Sequence, residues 1–165
     1  MAPTPTAELH ATDAGRDLVL VREFRAPIDD VWKSLTTPEG VGPWFGTWSG
    51  TPTVGDTVEF TMTAEEGDAT SAMTITACTP PEHVAITNAD EYGAWHLEAR
   101  LREADGITTL EFVHHLTPDA PIGEVGAGWE YYLDRLVASR TGAPMPDFDD
   151  YYPSMQSYFE HLPAR

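Results

Sequence analysis

The chain has 165 residues, 41% hydrophobic and 22% charged, with 27 Asp and Glu against 9 Lys and Arg, giving a net charge of −18. That length fits one domain able to bury roughly 70% of its unfolded surface. The negative charge repels phosphate backbones and anionic lipid surfaces, which argues against nucleic acid and membranes as partners, and no apolar run is long enough to cross a bilayer.

Residues 1–16 contain neither the basic nor the apolar region of a secretion signal and are expected to form a short disordered lead. The single cysteine, Cys78, cannot close an intrachain disulfide; this agrees with a reducing cytoplasm and a structural thiol. Asp17–Arg25 alternates, with Leu18, Leu20, Arg22 and Phe24 set against Val19, Val21 and Glu23, and gives the first strand. Pro27 suits a first helical position, and Asp29 and Asp30 fall where the helix dipole favours negative charge. Ile28, Val31, Trp32 and Leu35 recur at helical spacing. A second helix over Pro38–Trp44 is kept brief by Gly40, Gly42 and Pro43.

Short strands follow at Gly46–Gly50, Thr57–Thr63, Ser71–Thr79 and His83–Asn88, with a polar acidic turn over Ala64–Thr70 and a stop at Pro80-Pro81. Ala94–Arg102 and Ile107–Leu116 then flank Asp105-Gly106, a strong hairpin signal. Pairing Ala104 with Ile107 puts Leu101 opposite Leu110, Ala99 opposite Phe112, Leu97 opposite His114 and Trp95 opposite Leu116. The other face carries Arg100 opposite Glu111, Glu98 opposite Val113 and His96 opposite His115. One register thus separates an apolar face and makes a cross-strand ion pair.

Over Pro121–Ala138 the period changes to that of a helix, with Ile122, Val125, Trp129, Tyr132, Leu133, Leu136 and Val137 on one stripe. Gly123, Gly126 and Gly128 weaken its opening turns and imply either close packing or open space. Beyond Gly142, an acidic linker over Ala143–Asp150 leads into a terminal helix over Tyr151–Leu162. Its aromatic residues are expected to pack on the domain or on a second copy, a possible homodimer contact.

This order of elements is that of an α+β helix-grip fold: a seven-stranded antiparallel sheet wrapped around a long C-terminal helix, with two short helices after the first strand. Four segments resemble, in the family's order, the SRPBCC (START-like, birch-pollen-allergen-like) superfamily: PIDDVWKSLTTPEGVGPWF (Pro27–Phe45), CTPPEHVAI (Cys78–Ile86), ADGITTLEFVHH (Ala104–His115) and GWEYYLDRL (Gly128–Leu136). Within it the chain is most similar to the branch of heat-shock-protein ATPase activator homologue-like proteins. Gly42-Pro43 and the aromatic tail depart from that pattern. The resemblance implies a cytoplasmic helix-grip domain over residues 17–142, followed by an extension over 143–165.

The inward face of the hairpin offers Trp95, Leu97, Phe112 and His114. Phe60, Met62, Met73 and Ile75 join them from earlier strands, and Trp129, Tyr132 and Leu133 from the long helix. Trp44, Phe45 and Trp48 are placed to line a mouth. These side chains either surround a pocket for an apolar or aromatic small molecule or fill the interior. His114 is the candidate acid–base or ligand-bonding group, or else a core histidine bonded to a neighbour such as Tyr131, Tyr132 or Tyr92. His96 and His115 read as a solvated pair, too few for a structural metal site. The carboxylate runs Asp29-Asp30, Glu65-Glu66 and Asp147–Asp150 read as solvated charge. No nucleophile elbow, phosphate-cradling glycine loop or dinucleotide fingerprint is present, so no cofactor and no metal are expected. Three functions stay open: a small-molecule binder, a cofactor-free cyclase or dehydratase using His114, and a chaperone-associated interaction module.

Overall fold

Two-residue alternation along the chain becomes a single open antiparallel sheet in the computed structural model, which describes residues 3–49, 53–62, 70–90 and 93–165. The strands are β1 (Glu8–Thr12), β2 (Gly15–Phe24), β3 (Gly46–Ser49), β4 (Thr57–Met62), β5 (Thr70–Thr79), β6 (His83–Asp90), β7 (Gly93–Ala104) and β8 (Ile107–Leu116). The helices are α1 (Ile28–Thr36), α2 (Pro38–Val41), α3 (Ile122–Thr141) and α4 (Gln156–Glu160). The sheet order is β1-β2-β8-β7-β6-β5-β4-β3, with α3 against its inner face. Gly50, the acidic turn up to Ala69, Glu65-Glu66 and Tyr92 lie outside the described residues. Among the described residues no helix is long and apolar enough to cross a membrane.

The sheet has eight strands, not seven, because part of the expected disordered lead is β1. Leu9 pairs with Leu18 and is buried, and Arg165 closes backbone hydrogen bonds with Ala11 (2.7 Å) and Leu9 (2.9 Å). Leu9 is the one large apolar side chain in ELHAT, too little to reveal a strand by periodicity.

Asp105 and Gly106 both take positive φ (54° and 78°), the geometry that matches a two-residue turn to the twist of its strands. The ladder then runs from Ala104 opposite Ile107 to Leu97 opposite His114, and Arg100 meets Glu111 at 3.1 Å. It goes no further. Beyond that point each strand keeps only its other neighbour: Trp95 and His96 pair with Asn88 and Thr87 of β6, and His115 and Leu116 with Asp17 and Arg16 of β2. The expected Trp95–Leu116 and His96–His115 pairs are therefore not ladder partners. A second irregularity lies in β5, whose register shifts between Ile75 and Ala77. The extra residue turns Cys78 to the same face as Val84, its cross-strand partner.

The aromatic tail packs on its own domain. A 3-10 turn at Phe148–Asp150 and the short α4 replace the longer helix expected there, and Tyr151, Met155 and Phe159 are all buried. The glycines of α3 explain the fit: a Cβ on Gly126 would lie 2.5 Å from the Phe159 ring, and one on Gly123 2.8 Å from Gln156.

A buried polar cluster fastens the same layer. Glu130 on α3, 1% exposed, accepts from the Thr6 hydroxyl (2.6 Å) and backbone N–H and pairs with Arg22 at 3.1 Å. Arg22 also reaches Asp134 (3.0 Å), to which the Tyr151 hydroxyl donates at 2.7 Å. A buried carboxylate is tolerable only when so paired. The cluster joins the lead, β2, α3 and the extension.

Paired glycine substitutions test this packing. Gly128→Ala, which meets open space, should stabilise the fold by about 0.5–1 kcal/mol through helix propensity. Gly126→Ala should instead destabilise it by about 1–3 kcal/mol by driving a methyl into Phe159. Urea denaturation of both variants is the measurement; equal stabilisation of both would mean that α4 does not pack as described.

Candidate functional site

The inner face of the sheet and the facing stripe of α3 do not close on each other everywhere. They enclose a cavity of about 370 Å³. Leu97 and Ala99 of β7, Phe112 of β8, and Trp129 and Leu133 of α3 form its buried floor. Met73, Ile75 and Cys78 of β5 and Val84 and Ile86 of β6 form one wall. Val58, Phe60 and Trp48 come from β4 and β3; Trp44 and Phe45 follow α2. Trp32, Leu35 and Thr36 of α1 and Pro80 at the β5–β6 corner complete the lining. These α1 residues, with Trp48, Cys78 and Val84, are half-buried, so the mouth opens between α1 and that corner. Trp44 and Phe45, expected at the mouth, are buried deeper.

The cap over the cavity is pinned from below. The Trp44 indole donates to the Ser34 carbonyl (2.8 Å), and Arg135 of α3 donates to the Trp44 carbonyl (2.9 Å). Arg140 reaches the Ser34 hydroxyl at 2.8 Å. The rim hydroxyls are spent locally, Thr36 on the Trp32 carbonyl and Thr37 on that of Lys33, both at 2.8 Å. Glu98 borders the cavity from β7, but its carboxylate is bonded to His83, His115 and Arg100. Among the described residues no unpaired charge faces the cavity.

Of the side chains expected to bind a ligand, Trp44, Phe45, Trp48, Phe60, Met73, Leu97, Phe112, Trp129 and Leu133 come together around this space. Met62, Trp95, His114 and Tyr132 do not line it. Met62 ends β4 beside Gly46 and packs on the core. Tyr132 stands edge-on to Phe45 at 5.0 Å, and Trp95 edge-on to Trp129 at 5.8 Å. His114 is 3% exposed, and its Nδ1 accepts from the Trp129 indole at 3.0 Å. It therefore braces the wall, and the partner is a tryptophan rather than a tyrosine. Cys78 and Trp32 were not expected at the cavity: the β5 bulge hides the first, and helical spacing shows only that the second faces inward.

The two neighbouring histidines have opposite electrostatics. Burial pushes the His114 pKa down to about 4, with the nearby His115 and His96 acting in the same direction. For His115 burial works against the charged form, but hydrogen bonds and charges from Glu98 and Asp17 outweigh it and raise the pKa. Burial opposes ionisation of Glu98 too, yet His115, His83 and Arg100 together hold its pKa below the usual value. His115 thus sits between Asp17 (2.6 Å) and Glu98 rather than beside His96 as a solvated pair. Among the described residues no group of three or more His, Cys, Asp or Glu side chains is placed to hold a metal ion.

An open antiparallel sheet gripping one long helix is the architecture of helix-grip proteins, and the chain's place among them is set by comparison. The chain belongs to the family of Activator of Hsp90 ATPase homolog 1-like proteins, which matches residues 25–139. The crystal structure of CalU16 from Micromonospora echinospora is 26% identical, with 96% of each chain covered and a TM-score of 0.76. DynU16, a protein of the dynemicin biosynthetic locus, is 22% identical over 80% of this chain and 50% of its own, with a TM-score of 0.66. The Aha1 dimer from Colwellia psychrerythraea is 20% identical over 74% of this chain and 94% of its own, with a TM-score of 0.62. No curated protein matches.

The burial of His114 predicts an acid-sensitive limb of stability. Between pH 6.5 and about 4 the unfolded chain binds a proton that the folded chain refuses, so stability falls as the pH drops, by up to about 3 kcal/mol. His115 acts the other way: its contribution is present below pH 6.5 and is lost as the pH rises through its raised folded value. Urea midpoints from pH 4 to 7 should show a shallower limb for His114→Gln than for the parent, since glutamine keeps an acceptor for the indole. Identical limbs would mean that His114 is not buried and neutral.

Proposed function

We propose that the protein is a cytoplasmic binder of an uncharged apolar or aromatic small molecule, held between the sheet and α3. The observation that carries this reading is the apolar cavity of about 370 Å³, within the range of roughly 300–1,000 Å³ typical of ligand sites. Its nearest charged groups are satisfied elsewhere, so an ionised ligand would lose its hydration without gaining a partner. Membership of a biosynthetic locus, in the case of DynU16, sets one structural relative beside small-molecule chemistry. The enzymatic alternative lacks comparable support, because His114 already serves Trp129 and does not line the cavity.

Titration with naphthalene should perturb tryptophan emission, whereas naphthoate should not. Ala99→Phe places a ring in the floor and should weaken naphthalene binding by about tenfold or more, the equivalent of about 1.4 kcal/mol. Cys78 offers an independent readout: as the sole cysteine and a wall residue, its reaction with a thiol reagent should slow when the cavity is occupied. Unchanged emission together with an unchanged labelling rate across neutral aromatic probes would overturn the reading.

A further inference from the structure

The tryptophans that line the cavity divide by hydrogen bonding. The deeper pair, Trp44 and Trp129, are each 5% exposed, and their indoles donate to the Ser34 carbonyl and to His114 Nδ1. Trp32 and Trp48 are half-buried at the mouth, and neither indole N–H has a hydrogen-bond partner among the described residues. Both N–H groups are also reachable, since the described side-chain polar atoms buried without a partner are Arg16 Nε and Asn88 Oδ1 alone. An indole nitrogen is a donor only, and when covered it ordinarily finds an acceptor. The rim hydroxyls do not compete for that role. Thr36 and Thr37 already donate to backbone carbonyls, and Thr37 also accepts from the Gly40 N–H at 3.0 Å. The strong donors left unpaired among the described lining side chains are thus the two indoles at the mouth.

We infer that the cavity takes a neutral carbonyl compound, its apolar body between the sheet and α3 and its carbonyl oxygen at the mouth, accepting from the indole N–H groups of Trp32 and Trp48. The inference rests on reading the cavity as a small-molecule site and adds the ligand's chemical class: a ketone, quinone or lactone rather than a pure hydrocarbon. An uncharged acceptor suits a chain of net charge −18, whose field opposes a carboxylate that could use the same donors. A few polar groups in an apolar site fix a ligand's orientation, and these hold the carbonyl outward. An analogue with a methylene in place of the oxygen covers the same N–H groups without pairing them, which is the basis of discrimination.

The test compares 2-acetylnaphthalene with its near-isostere 2-isopropenylnaphthalene by calorimetric titration of the full chain and of the double variant Trp32→Phe, Trp48→Phe. The parent should bind the ketone about tenfold more tightly than the alkene, one good hydrogen bond's worth of discrimination. In the variant, which keeps aromatic rings but no donors, the ratio of the two affinities should fall close to one. The carbonyl stretch of the bound ketone should lie below its frequency in hexane for the parent and move back towards it in the variant. Should the double variant fail to fold, each single substitution is expected to remove part of the preference. Parent protein that binds ketone and alkene equally overturns the carbonyl assignment and leaves the cavity reading standing, because an N–H that merely stays hydrated gives no preference. A preference or a lowered stretch that persists undiminished in the folded variants has the same effect. Parent protein that binds neither probe overturns both.

Discussion

One hydrogen bond organises the interior. The Trp129 indole on α3 donates to His114 Nδ1 on β8, which ties the long helix to the central strands and leaves the neutral imidazole's proton on Nε2. Held there, the indole meets Phe112 at 4.5 Å, Phe45 at 5.6 Å and Trp95 at 5.8 Å. Rings of this size, fixed by a bond as well as by packing, keep α3 at a distance from the sheet. On the side where the sheet presents Leu97 and Ala99, smaller than those rings, the distance stays unfilled and becomes the cavity.

The surroundings are built to hold that separation. Arg135 and Arg140 bind α3 to the cap through Trp44 and Ser34, while Glu130 and Asp134 bind the other side of the helix to Arg22, Thr6 and Tyr151. Phe159, seated against Gly126, presses on the helix from the tail. The helix is thus clamped on several sides by contacts that the sheet strands alone do not provide. A chain with net charge −18 concentrates half-buried cations at these clamps, where each arginine meets carboxylate or carbonyl oxygens.

Much of this was legible in the sequence, and the reasons for the remainder are physical. The Asp105-Gly106 turn and the β7–β8 alternation fix a register residue by residue, because a slip of one would turn every apolar side chain outward. The same alternation places His114 indoors and His115 at the surface. It could not show where a ladder ends, which is why the expected β7–β8 register carries two pairs too far, to Trp95–Leu116 and His96–His115. Nor could it show the β5 bulge, an insertion without a composition signature, which brings Cys78 to the cavity. β1 was missed since its pairing with β2 depends on tertiary contacts with the last residues of the chain. Glu130 gave no signal, because a buried carboxylate on a helix becomes intelligible only once Arg22 is seen beside it.

The central claim is that aromatic spacers leave a real, apolar volume between sheet and helix. An apolar cavity of this kind takes up xenon under modest pressure. Diffraction from a xenon-pressurised crystal should show the gas between Leu97, Phe112 and Leu133 with the Trp129–His114 bond intact. Absence of xenon, with side chains of α1 or Trp48 folded into that space, would contradict the account.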